Sequence, residues 1–84
     1  MTSSIRVQSP NSRQIQAARV SLGWSQLQLS ERAGVGIASV YRLEALPENA
    51  EPLENLRPST IRSIVSALEG AGVNFLYFEG VDRV

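Results

Sequence analysis

The sequence predicts an all-α domain that ends in a short C-terminal β-strand or hairpin. Apolar residues recur at helical spacing through most of the chain, and glycines follow the apolar stretches as helix stops. From residue 73 onward, β-branched and aromatic residues replace this pattern. The chain has 84 residues, of which 43% are hydrophobic, so it is long enough for one domain with a packed core.

The first two helices are predicted from their caps. The first begins at Ser9-Pro10, because serine caps a helix and proline fits its first turn, and it ends at Gly23. Ser25 caps a second, short helix, which ends at Gly34.

A third helix is predicted to start at Gly36 or Ile37 and to stop before Pro47. The loop that follows is rich in proline and contains one short helical turn at Leu53–Leu56. The last helix begins at Pro58 and has the clearest amphipathic stripe of the chain, which consists of Ile61, Ile64, Val65, Leu68 and Ala71.

The C-terminal segment Val73–Phe78 is predicted to be a strand, because it is β-branched and aromatic. A lone strand is unstable, so it must pair within the chain, with a second copy in a homodimer, or with another protein. The residues of this strand-pairing interface would be Phe75, Leu76, Tyr77 and Phe78. The alternative is that these residues simply cover the helical core. We expect residues 1–8 to be a flexible tail, 9–72 to be the helical domain and 73–84 to be a C-terminal strand or tail.

The composition argues against an enzyme. The chain has no histidine and no cysteine, which removes the commonest general acid/base, thiol nucleophiles and the usual zinc ligands. It has no phosphate-cradling glycine motif and no calcium-loop spacing. We therefore expect no catalytic residue, no metal and no cofactor. No apolar run approaches about 18 residues and no secretory signal is present, so we expect a cytoplasmic protein without membrane contact.

The motif that indicates a function is a helix-turn-helix. Two short helices, Gln26–Ala33 and Ile37–Glu44, are joined by Gly34-Val35-Gly36, and the small Ser30 permits a close approach of the helices. Over roughly residues 9–72 the chain resembles the Xre/phage-repressor-type helix-turn-helix domains. The segments that support this resemblance are Leu22-Gly23-Trp24-Ser25-Gln26, Ala33-Gly34-Val35 and Leu43-Glu44.

This resemblance implies a lambda-repressor-like bundle of five helices, in which the short turn of the proline-rich loop is the fourth helix. It also implies that Gln26 touches a DNA phosphate and that the third helix enters the major groove. The partner- or DNA-binding residues would then be Gln26, Gly36, Ile37, Ala38, Tyr41 and Arg42. Arg19 and Glu44 occupy the places of a semi-buried ion pair, which would tie the first helix to the third and remove Glu44 from the DNA face.

The charge distribution bears on the choice of partner. Residues 1–43 hold five Arg and one Glu, a net charge of +4, whereas residues 44–84 hold three Arg and seven acidic residues, a net charge of −4. The loop after the third helix contains Glu48, Glu51 and Glu54 and no basic residue. Three carboxylates on that rim would oppose the counterion release from which DNA binders gain affinity.

The sequence therefore predicts a small transcription regulator that acts mainly by binding a protein partner, as an antiactivator or antirepressor of a transcription factor. The third helix opens with Ile37 and Ala38, which cannot make bidentate hydrogen bonds to a base edge but would form an apolar patch beside Tyr41. The alternative is a conventional dimeric repressor that binds operator DNA, in which Arg42 and Tyr41 would read polar base edges.

Overall fold

The computed structural model describes residues 10–75, and five helices lie wholly within this range. They are α1 (Ser12–Ser21), α2 (Gln26–Ala33), α3 (Ile37–Glu44), α4 (Pro52–Asn55) and α5 (Pro58–Gly70). The described residues contain no strand. The prediction of an all-α bundle that contains a helix-turn-helix is confirmed for this part of the chain.

Helix α1 begins two residues later than Ser9-Pro10, so the predicted start was wrong. The N-cap is Asn11, whose side chain accepts a hydrogen bond from the backbone N–H of Gln14 at 2.8 Å. The side chain of Gln14 accepts from the backbone N–H of Asn11 at 2.8 Å, which completes a capping box. Because this arrangement satisfies two backbone donors that would otherwise lack partners, it places the start of the helix after Pro10.

Helix α2 begins and ends where the sequence predicts. Ser25 is its N-cap and forms a second capping box with Gln28. Gly34 follows the helix with a φ of 71°, a left-handed conformation that is strained for residues with a side chain. Immediately afterwards the N–H of Val35 donates to the carbonyl of Ser30 at 3.0 Å. This turn directs the chain into α3.

The core lies between α1, α2, α3 and α5. Its ten buried hydrophobic residues are Ile15, Ala18, Leu29, Val40, Leu43, Leu56, Ile61, Ile64, Leu68 and Phe75. Of the apolar stripe predicted on α5, Val65 is only partly buried. Ala71 is exposed and lies just beyond the helix, which ends at Gly70. Helix α4 starts at Pro52, one residue earlier than predicted, since proline fits the first helical position.

The predicted strand at Val73–Phe78 is not found in its described part. Val73 and Asn74 have no regular secondary structure, and Phe75 has helical backbone. Gly72 has a φ of 105°, and the N–H of Val73 donates to the carbonyl of Leu68 at 3.1 Å, so the chain turns back after α5.

This turn brings Phe75 into the core, where the residue is 5% exposed. Phe75 is therefore not available to a strand-pairing interface, because burial against the helices outweighs its β-propensity. The other residues of that prediction, Leu76, Tyr77 and Phe78, lie outside the described residues. Pairing through them, with a second copy or with a partner, stays a prediction.

No helix of the described range has both the length and the apolar character that crossing a membrane would require.

Candidate functional site

Arg19 of α1 and Glu44 of α3 form a nearly buried ion pair. The guanidinium donates to the carboxylate twice, from Nε to Oε2 at 2.7 Å and from Nη2 to Oε1 at 3.0 Å. Its Nη1 donates to the carbonyl oxygen of Trp24 at 2.8 Å. Because the side chains of Arg19 and Glu44 are only 12% and 4% exposed, this pair joins two helices inside the domain rather than on its surface.

Gln26, at the start of α2, joins the same network. Its Nε2 donates to Oε1 of Glu44 at 3.0 Å, so one carboxylate holds side chains from α1 and α2. Within residues 10–75 this is its one side-chain hydrogen bond, which leaves the amide oxygen and one amide hydrogen for another molecule. We name Arg19, Gln26 and Glu44 the interhelix network. The sequence predicted the ion pair but missed the link to Gln26.

The outer surface of α3 presents Ala38, Tyr41 and Arg42. These positions follow the i, i+3, i+4 spacing that places side chains on one helix face, and all three residues are exposed. Tyr41 is 51% exposed, and Arg42 makes no ion pair or hydrogen bond through its side chain within residues 10–75. Ala38, Tyr41 and Arg42 are called the α3 face below.

The residues that open α3 contribute less surface than the sequence predicts. Gly36 is the N-cap and supplies no capping side chain, and Ile37 is half-buried. The apolar patch predicted at Ile37 and Ala38 is therefore smaller than expected, because Ile37 is only partly accessible to solvent.

The loop after α3 contains Glu48, Glu51 and Glu54 and is called the acidic rim below. A basic residue of α1 contacts this rim. Nη1 of Arg13 on α1 lies 3.3 Å from Oε1 of Glu48, and both side chains are exposed, by 69% and 62%. Glu51 and Glu54 are exposed and form no ion pair within the described range. Arg13 was missed by sequence reasoning because it precedes Glu48 by 35 residues.

Among residues 10–75, no group of three or more acidic, histidine or cysteine side chains is placed to hold a metal ion. The described site is thus a helix surface and a buried polar network, without a set of side chains arranged for metal chemistry.

The family comparison agrees with this geometry. Residues 15–50, which run from α1 through α3 to the acidic rim, match a family model described as helix-turn-helix. Comparisons with curated proteins and with solved structures gave no match. Helix-turn-helix domains are typical of DNA-binding transcription regulators. The predicted resemblance to the Xre/phage-repressor type is confirmed over residues 15–50.

Proposed function

We propose that this chain is a transcription regulator that binds operator DNA through the α3 face. The observation that supports this most directly is the placement of charge on α3. Its one carboxylate, Glu44, is held inside the interhelix network, whereas its one cation, Arg42, is exposed and unpaired within the described residues. A surface of this kind suits the negative potential of a DNA groove.

Each residue of the α3 face has a role in this proposal. Arg42 donates to the O6 and N7 acceptors of a guanine, a contact that contributes about 1–3 kcal/mol of discrimination against other bases. Ala38 contacts a thymine methyl group, and the Tyr41 hydroxyl hydrogen-bonds a base edge or a phosphate.

Gln26 has a positioning role and a binding role. Glu44 holds its amide in one orientation, and the remaining amide hydrogen donates to a phosphate oxygen. The orientation of this contact is then set before DNA arrives, which lowers the entropy cost of forming it.

The α3 face of one copy contains too few polar groups to specify a DNA site of many base pairs. We therefore propose that two copies bind half-sites about one helical turn of DNA apart. The ion pair of Arg13 with Glu48 reduces the negative charge of the acidic rim beside such a site.

The test is selection of preferred sequences from a random DNA library, followed by affinity measurements at several salt concentrations. We expect Arg42→Ala to weaken binding to the selected sequence by about tenfold or more and to relax preference at one base position. The matched control is Arg62→Ala, which removes an exposed arginine from α5 and should leave the preference unchanged. Equal losses in both variants would mean that the binding is non-specific attraction, and the proposal would fail.

A second candidate function is binding of a transcription-factor protein, as an antiactivator or antirepressor. It is favoured by the half-exposed Tyr41 ring beside Ala38, and by Glu51 and Glu54, which repel phosphates. In this case Tyr41→Ala and Ile37→Glu should abolish co-purification of that factor from the native cell. Sequence-selective DNA binding by the purified chain, with a steep dependence on salt, would refute this candidate.

A further inference from the structure

A basic groove lies between α2 and α5, and no residue of α3 lines it. It has a volume of about 450 Å³ and is open to solvent. Its lining residues are Arg32, Ala33, Arg62, Ser63, Ser66 and Ala67. Two of these residues are alanines, which are partly buried against the core, and the other four have polar side chains.

The two arginines of this groove have no anionic partner within residues 10–75. The ion pairs of that range use Arg13 and Arg19, and neither Arg32 nor Arg62 donates a side-chain hydrogen bond there. Arg32 is nevertheless held in place, because its guanidinium carbon lies 4.7 Å from the centre of the Trp24 ring. A guanidinium stacked in this way keeps its N–H edge available for a bidentate contact with a carboxylate.

The serines of the groove also have unused hydroxyl groups. Ser21 and Ser30 each donate to a carbonyl three residues earlier in their own helix. Ser63 and Ser66 make no such bond, and neither has a side-chain partner within residues 10–75. Two cations and two hydroxyl donors thus border one shallow, open depression, a combination suited to oxygen anions.

We propose that this groove binds an acidic segment of a partner protein, with Arg32 and Arg62 each receiving a glutamate or aspartate side chain. The open shape favours a segment over a small molecule, since small-molecule sites usually enclose most of the ligand surface. In this proposal the extended segment crosses Ala33 and Ala67, and the serine hydroxyls donate to its carboxylate or carbonyl oxygens. This site does not depend on DNA binding by the α3 face.

The test measures fluorescence anisotropy of a fluorescein-labelled hexaglutamate peptide with the whole chain, and hexaglutamine is the uncharged control peptide. The groove variant is Arg32→Gln with Arg62→Gln. The matched control is Arg42→Gln with Arg57→Gln, which removes the same charge from two exposed arginines outside the groove. Circular dichroism and the melting temperature establish that both variants are folded.

We expect the groove variant to weaken hexaglutamate binding by about tenfold or more, because charge-assisted hydrogen bonds are lost from both arginines. The matched control should stay within about twofold of the unmodified chain. DNA binding should be unchanged in the groove variant and reduced by Arg42→Gln, so the proposal for this groove and the proposal for the α3 face can fail separately.

Several results would overturn the inference. Equal loss in both variants would show attraction to overall charge, and absence of hexaglutamate binding by the unmodified chain would show that the groove takes no acidic segment. Loss of DNA binding in the groove variant would assign the two arginines to phosphates. Sedimentation of the unmodified chain as a dimer that the groove variant dissociates would make a second copy the occupant.

Discussion

Replacing Glu44 by alanine should destabilise the whole domain, because this carboxylate is the common acceptor of the interhelix network. The change leaves the Arg19 guanidinium with the carbonyl of Trp24 as its remaining acceptor, and it removes the acceptor of Gln26. Breaking a buried ion pair from one side typically costs about 3–5 kcal/mol. Since the side chain of Arg19 is 12% exposed and reaches some water, we expect the lower end, about 3 kcal/mol.

This loss is large against the total stability of such a chain. At about 0.05–0.15 kcal/mol per residue, 84 residues have a free energy of unfolding of about 4–13 kcal/mol. A domain of this size loses about 4–8 °C of melting temperature per kcal/mol, so Glu44→Ala should lower the melting temperature by about 12–24 °C. Thermal unfolding followed by far-UV circular dichroism measures this shift directly.

The exposed pair of Arg13 and Glu48 provides the matched control. Glu48→Ala should cost less than about 1 kcal/mol, and added salt should reduce even that, because solvent screens the pair. A double variant, Arg19→Met with Glu44→Leu, should recover most of the stability, since no buried charge is left alone. The reasoning is refuted if Glu44→Ala costs no more than Glu48→Ala.

Three further predictions concern the core and the turns, and each is checked by urea unfolding. Phe75→Ala should cost about 3–5 kcal/mol, because the ring is 5% exposed, and an unchanged midpoint would remove Phe75 from the core. Gly34→Ala should cost about 1–2 kcal/mol at a φ of 71°, whereas Gly70→Ala at the end of α5 should be neutral or slightly stabilising. Ser12→Ala should cost about 1–2 kcal/mol, because the buried hydroxyl donates to the carbonyl of Leu46 at 2.9 Å; a smaller loss would mean that water replaces it.

Much of the helix-turn-helix was predictable because local residues determine it. A cap such as Ser25, and a left-handed position such as Gly34, act over a few neighbouring residues and are visible in the order of amino acids. The start of α1 is also determined by local residues. Asn11 and Gln14 have the spacing of a capping box in the sequence itself, and this spacing predicts the observed start of the helix, whereas Ser9-Pro10 does not.

The contacts within the candidate site were predictable only where the family pattern named a pair of residues. The ion pair of Arg19 with Glu44 has such a pattern, but the bonds from Gln26 to Glu44 and from Arg13 to Glu48 do not. These contacts join residues that are 18 and 35 positions apart, and any exposed polar residue of the right charge is an equally good candidate in the sequence. The basic groove between α2 and α5 was missed for the same reason, since it exists only once those helices pack.

The sequence by itself determined the class of fold, the helix-turn-helix and the uneven charge of the two halves, because these follow from spacing, caps and composition. Tertiary structure decided that Gln26 joins the pair of Arg19 with Glu44, that Glu48 is paired with Arg13 and that Phe75 lies in the core instead of in a strand. The physical reason is that propensity and capping act between neighbours in the chain, whereas burial and ion pairing act between neighbours in space. For Phe75, the apolar area removed from water outweighed a local preference for extended backbone.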